Sequence, residues 1–354
     1  MLGDRYRYDG EPIIQLNELQ RVTRAAVEEK LRSGVYAIER VACVLCGHDE
    51  CEVLAEKDRY GLRVSTGICR MCGLIQMNPR MTRESVAAFY EHEYRPLYVG
   101  APVPTERFFE RQMRHGRAIL EYISSVEPHE AGSVAGRIVA EVGCGAGGIL
   151  QAFREVGDEV VGVDLGSAYL EYGRGRGLDL RHGDISAISD IRGRIDLLVY
   201  SHSLEHTLDP IGELVSAREM LSETGIVYVE VPGVKALTHS YQQDFLRSLQ
   251  NAHTYYFTAR TLAACARVAG LEPVVIDEEI RGVFRRGPVG RVPDSDYEEV
   301  MAFLRSMERV RTQRWNKHVI LGRARRFLVN FFDRLGILRR ARACYYRIKS
   351  KKRP

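Results

Sequence analysis

From Gly136 onward the chain alternates short apolar runs with amphipathic ones, and that alternation narrows the possible folds more than any other feature. The run "RIVAEVG" reads as a buried strand, and "GGILQAFREVG" as a helix with Ile149, Leu150, Phe153 and Val156 on one face. A second strand, "EVVGVDLG", leads to a helix over 167–176 and a third strand, "LDLRHGD". "RIDLLVYSH" is the fourth strand, 209–222 a helix closed by Gly225, and "GIVYVEVPG" the fifth strand. After a polar insertion at 234–256 come a helix, "TARTLAACARVAG", a sixth strand, "LEPVVIDEE", and a last antiparallel strand, "GVFRRG". Strands separated by helices of this length predict an α/β fold, a mostly parallel sheet with helices on both faces.

Upstream, 13–33 reads as a helix, with Leu16, Leu19, Val22, Ala26, Val27 and Leu31 at helical spacing and Gly34 as its stop. Segment 41–75 is short-stranded. Thr82 caps a helix through Tyr90, "YRPLYVGAPVPT" is a loop, and 105–125 is a further helix. The expected division is an N-terminal helical extension (1–40), a metal ribbon (41–80), a helical linker or cap (81–130), the α/β domain (131–292) and a basic helical extension (293–354).

The N-terminus has no apolar signal core and no stretch is long and apolar enough to span a bilayer, so a cytoplasmic protein is expected. In that setting the 8 cysteines read as metal ligands or buried thiols. "CVLC" (Cys43, Cys46) and "CRMC" (Cys69, Cys72) are two knuckles with 22 residues between them, each followed by a glycine that permits the turn. Four thiolates at this spacing predict a closed tetrahedral Zn²⁺ site, structural because no coordination position is left open.

The stretch "EVGCGAGG" lies between the first strand and the first helix of the alternation, where such sheets bind ligands. Gly143, Gly145 and Gly148 satisfy the dinucleotide spacing G-x-G-x-x-G, while the Gly-Lys-Ser/Thr of a phosphate loop is absent. Glu141, two residues before the first glycine, is awkward beside a pyrophosphate and suits a cationic ligand. Asp164 ends the second strand, as an acidic residue does in both kinds of site. "RHGDI" then places Asp184 after the third strand, and "DLLVYSHSLEHTLDP" follows in order. This ordered set resembles the class I S-adenosylmethionine-dependent methyltransferases, over about 136–285. The resemblance implies a Rossmann-like seven-stranded sheet, with Asp164 on the ribose hydroxyls and Asp184 facing the adenine. Glu141, Gly143, Gly145, Leu165, Ile185 and Ser201 complete the implied cofactor set. The alternative reading of Asp184 is a cap on the next helix, and Cys144 reads as a small space-filler rather than a nucleophile.

"CRMCGLIQMNPRMTRESVAAFYEHEYRPLY" resembles, within that family, the branch carrying an N-terminal zinc module, common among bacterial enzymes that modify deoxysugars and surface polysaccharides. The sugar C-3 methyltransferases of that branch have a second Rossmann-like domain, for which this chain is too short, so O-methylation is expected over C-methylation. The insertion "LQNAHTYYFTARTL" is similar to the branch's "EH-x-Y-x-F" stretch, which implies His253 as general base and Tyr255 and Tyr256 as wall residues. Ala252 and Gln250 replace a glutamate and a tyrosine of that pattern. His206 is placed at the substrate rim, and His92 and Tyr94 on the substrate side. His202 and His206 stand at i, i+4 without the H-E-x-x-H of a zinc helix.

The net charge of +4 conceals an asymmetry: residues 309–354 hold 16 basic and one acidic residue, leaving 35 basic against 46 acidic in the body. An anionic partner for the tail is expected. Residues 325–338 place Phe327, Leu328, Phe331, Phe332 and Leu335 on one face, for the inner surface of a membrane, for the protein's own body or for a second subunit. The implied acceptor is a sugar, nucleotide sugar or lipid-linked saccharide. The second reading is an rRNA or tRNA methyltransferase that grips nucleic acid with ribbon and tail, although an N-P-P-Y-type motif is missing.

Overall fold

The structure, a computed structural model, describes residues 1–100, 103–126, 136–292 and 295–313; the expected amphipathic helix at 325–338 lies outside them. Helix α1 (Glu18–Arg32) starts later than its apolar spacing suggests. The Asn17 side chain accepts from the Gln20 backbone N–H and the Gln20 side chain accepts in return, a capping box that fixes the first turn. The helix buries Thr23 and Val27 and leaves Leu19 and Val22 facing solvent.

Strands β1 (Ile38–Glu39), β2 (Cys51–Lys57), β3 (Arg63–Cys69), β4 (Ile75–Met77) and β5 (Arg80–Met81) follow, then helix α2 (Arg83–His92), capped by Thr82. Within the expected loop, Tyr94–Tyr98 forms a short helix, α3. Pro96 does not prevent it, because first-turn residues have no intrahelical N–H bond to lose. Helix α4 (Glu106–Val126) packs along the next helix through Gly116, where a Cβ would come within 2.6 Å of the Ile149 carbonyl oxygen.

The alternating stretch supplies β6 (Ile138–Val142), α5 (Gly148–Glu155), β7 (Glu159–Asp164), α6 (Ser167–Arg174), β8 (Asp179–His182), β9 (Ile195–Ser201), α7 (Pro210–Met220) and β10 (Leu221–Glu230). In the insertion lie α8 (Phe245–Ser248) and β11 (Tyr255–Tyr256); α9 (Ala259–Val268), β12 (Leu271–Ile276) and β13 (Arg281–Arg286) complete the domain. The seven-stranded sheet runs β12-β13-β10-β9-β6-β7-β8, with β13 antiparallel to both of its neighbours. Alternation along β9 sends Leu197 and Val199 into a core shared with α4, α5 and α6, and Leu198 and Tyr200 into one shared with α7 and α9.

Two long-range features were not readable from local pattern. Strand β11 pairs with β4, so the insertion is the edge strand of a four-stranded ribbon sheet, β11-β4-β3-β2. Helix α10 (Tyr297–Thr312) buries Val300, Met301 and Leu304 in a core with Tyr6, Leu54, Ile68, Phe245 and Tyr256. Ribbon, insertion, N-terminus and α10 thus close on one another. Among the described residues no helix is long and apolar enough to cross a membrane.

Candidate functional site

The glycine loop leaves β6 and turns into α5 with Gly143, Gly145 and Gly147 at φ values of 82°, 54° and 73°, a left-handed region that favours glycine. At Gly143 a Cβ would also strike Ser203, 2.6 Å away. Asp164, at the end of β7, steadies the loop: its carboxylate accepts from the Gly145 N–H at 2.8 Å and the Gly166 N–H at 2.7 Å. Arg95 reaches the same carboxylate at 3.4 Å while lying over the Tyr169 ring. A ribose diol held by Asp164 would share or replace that arginine.

Glu141 is the polar anomaly of the cradle. It is 2% exposed, and Oε2 has no hydrogen-bond partner. Burial, and then the charge of Asp164, pushes its carboxyl up to about 8. A buried, unpartnered carboxyl beside an open glycine turn fits a ligand that brings its own positive charge. Leu165, exposed next to Asp164, offers an apolar edge, and Ile185 is buried. Asp184 caps the turn that follows β8, accepting from the Ser186 N–H at 3.0 Å and Oγ at 2.6 Å. Cys144 is buried against Gly162, where a Cβ would lie 2.6 Å from its sulfur; burial holds the thiol well above its ordinary range.

Beyond the ends of β9 and β10 stands a wall of imidazoles and carboxylates. Ser201 and Glu230 are parallel-strand neighbours at those ends. Glu230 accepts from His115 Nε2 at 2.8 Å, from the Tyr228 hydroxyl at 3.3 Å and from Ser201 Oγ at 3.4 Å. Burial works against its charge, but the His115 hydrogen bond and the His202 charge prevail and hold it below the usual carboxylate range. One layer deeper, Glu205 is 1% exposed with neither oxygen hydrogen-bonded, and His202, His206 and His253 each stand 3.7 Å from Oε1.

His253 is buried at 3% exposure, in contact with Gln250 and edge-on to His206 at 4.7 Å between ring centres; its Nδ1 has no partner. Burial, then His206, pushes its imidazole well below the ordinary range, so it is neutral. His206 Nδ1 lies 2.8 Å from both the Tyr90 hydroxyl and the Ala252 carbonyl oxygen. Tyr255 is placed differently from the role expected of it. Its hydroxyl donates to the Leu208 carbonyl at 2.8 Å and accepts from Arg80 at 2.8 Å, and the residue is 1% exposed within the ribbon sheet. Tyr256 likewise faces the inner core. Tyr94 packs between Tyr90, Tyr98 and His206, and His92 is exposed at the end of α2.

His115, Glu230 and Arg95 escaped sequence reasoning. Glu230 carried one signal, a carboxylate closing the run Ile226–Val229 at the end of β10.

The four knuckle cysteines converge. Cys43 and Cys72 sulfurs are 3.5 Å apart, as are Cys46 and Cys69, and all four lie within 4.8 Å of one another. A disulfide needs about 2.05 Å, whereas thiolates around a tetrahedral zinc stand about 3.8 Å apart. Each knuckle repeats one turn: Gly47 N–H donates to the Cys43 carbonyl and Gly73 N–H to the Cys69 carbonyl, both glycines left-handed. Cys51 pairs opposite Cys69 in the sheet, outside the group of four.

Residues 109–276 match the family model described as a methyltransferase domain. The ubiquinone biosynthesis O-methyltransferase of Bordetella avium is 27% identical over 197 residues, 52% of this chain and 74% of that protein. Its counterpart in Bordetella bronchiseptica is 29% identical over 157 residues, 40% of this chain and 65% of its own, less than two thirds of its length. Among solved structures, the PH0226 protein of Pyrococcus horikoshii is similar at 14% identity and a TM-score of 0.43, over 53% of this chain and 97% of that one. The sheet order, the glycine cradle and the matched domain define an S-adenosylmethionine-dependent methyltransferase. The cradle fits that cofactor: Asp164 would hold the ribose hydroxyls, Glu141 the cationic amino-acid end and Leu165 the adenine edge.

Proposed function

We propose that the protein transfers the methyl group of S-adenosylmethionine to a hydroxyl of a sugar or saccharide, with a structural Zn²⁺ on Cys43, Cys46, Cys69 and Cys72. The observation that carries the acceptor class is the polar wall facing the cradle, made of His115, Ser201, His202 and Glu230. A polyhydroxylated acceptor can satisfy such a wall. An apolar ring would strip water from the exposed edges of His202 and His115 and return no hydrogen bond, at roughly 1–3 kcal/mol for each group so buried. The relatives' printed names support transfer to oxygen, though in ubiquinone biosynthesis.

The bound cofactor supplies an electrophilic methyl group. The chain's own residues orient the acceptor oxygen and remove its proton. Neutral His253 and His206 around Glu205 form a relay that can take that proton deeper into the protein, with His253 as the terminal base. Incubating the full chain and S-adenosylmethionine with nucleotide sugars and oligosaccharides, read by mass spectrometry, tests the reading. A methylated saccharide is expected. Transfer to a quinol precursor and to no saccharide would overturn the acceptor assignment.

A further inference from the structure

We propose a second metal site, for a divalent transition-metal ion, formed by His115, His202 and Glu230 at the acceptor side of the cradle. Three chain segments meet there: α4 brings His115, the residue after β9 brings His202, and the last residue of β10 brings Glu230. Their ligating atoms all lie within 4.8 Å of one another. His115 Nε2 is 2.8 Å from Glu230 Oε2, and His202 Nε2 is 3.8 Å from Glu230 Oε1. Neighbouring donors around an ion with bonds of about 2.1 Å stand about 3 Å apart, so small rotations of existing side chains complete the set.

Several features hold these ligands in place. His202 has a left-handed backbone, φ 54°, rare for a residue with a side chain, and its N–H is tied to the Glu230 carbonyl at 2.7 Å. Tyr228 and Ser201 donate to Glu230 Oε2 and fix the carboxylate. The cluster is also open on one side, with His202 49% and His115 32% exposed in their side chains. Two imidazoles and one carboxylate with free positions suit a borderline ion that binds a further ligand, unlike the closed four-sulfur cluster.

The free positions would take an acceptor oxygen, and this role rests on the O-methyl transfer proposed above. A hydroxyl bound there would be more acidic than a free one and would pass its proton more readily to the His206–His253 relay. Its lone pair then forms the new O–CH₃ bond as the CH₃–S bond breaks, the bonding pair remaining on sulfur to leave a neutral thioether.

The probe is Mn²⁺ alone, added to the full chain and followed by loss of the free-ion electron paramagnetic resonance signal; thiolate clusters take Mn²⁺ poorly, so the cysteine site does not interfere. One bound ion per chain is expected, with affinity falling at least tenfold in His115→Gln and in Glu230→Gln. No bound Mn²⁺ in the native chain, or binding that survives both substitutions, overturns the site. Calorimetry with S-adenosylmethionine, run separately, distinguishes this failure from failure of the methyl-transfer reading. Asp164→Ala should lose the cofactor and keep Mn²⁺.

Discussion

The cofactor cradle and the acceptor wall lie side by side but are built differently. The cradle comes from one continuous strand-turn-helix-strand stretch, Glu141 to Asp164, and is held by backbone: left-handed glycines and two N–H groups on Asp164. The wall draws His115 from α4, Ser201 to His206 from the end of β9 onward, Glu230 from β10 and His253 from an insertion fixed to the ribbon sheet. Local geometry makes the first self-supporting, whereas the second depends on distant segments staying docked. Disturbing the ribbon should therefore damage the wall before the cradle.

Cys69→Ser is the most severe way to break that comparison. Zinc should fall from one ion per chain to below about a tenth, and since a structural site can contribute ~10 kcal/mol, Tm should drop by more than about 10 °C. The cysteines belong to the core shared with α7 and α9, so the loss reaches the sheet as well. Hydrogen exchange should rise first in β2–β4 and β11. Native protein that contains no zinc by metal analysis would refute the proposed site.

Asp164→Ala attacks the cradle alone. It removes both the expected ribose acceptor and the partner of two loop N–H groups. Cofactor affinity should weaken about 100-fold, roughly 2.7 kcal/mol, by calorimetry. Thermal stability should change far less than in the cysteine variant. Tight NAD binding by the native chain would contradict the cofactor assignment.

The same contrast explains what the sequence made legible. Glycines, Glu141, Asp164 and the cysteine knuckles declare themselves because short-range geometry demands those residue types at those spacings. Strand β11 is two tyrosines whose pairing partners, Gln76 and Ile75, lie far upstream, and no local pattern specifies such a match. His115 occupies a helix position that reads as ordinary polar surface until β9 and β10 are placed beside it. Helix α1 misled in part for a related reason: its apolar stripe includes Leu19 and Val22, which face solvent, while docking buried Val27 of the stripe and the polar Thr23 beside it. Periodicity identifies a helix more securely than it identifies which neighbour will cover it.

Glu141 sharpens the comparison through pH. Its carboxyl is raised from the ordinary 4.5 to about 8 by burial and Asp164. Between those values the folded chain holds a proton that the unfolded chain has released, so stability falls as pH rises through the window. Glu141→Gln should abolish that slope and stabilise the cofactor-free protein at pH 9 by roughly 5 kcal/mol. A cationic ligand needs the carboxylate ionised, so affinity for S-adenosylmethionine should climb by up to about tenfold per pH unit between about 6 and 8. Calorimetry in buffers of different ionisation enthalpy would detect the released proton. A pH-independent affinity in the native chain would place the cofactor's positive end elsewhere.

Tyr255→Phe carries the smallest expected effect and separates structural from catalytic roles within the insertion. The phenol accepts from Arg80 of the ribbon region and donates to the Leu208 carbonyl, which Arg80 also reaches directly, so its removal costs two hydrogen bonds without orphaning either group. A loss of about 1–2 kcal/mol in unfolding free energy follows, with kcat for methyl transfer within about twofold of native. His253→Gln should show the reverse, with small effect on Tm and a fall in kcat of at least about 100-fold. If Tyr255→Phe instead lowers kcat as strongly as His253→Gln while leaving Tm unchanged, the hydroxyl acts on substrate, and the wall extends into the ribbon sheet itself.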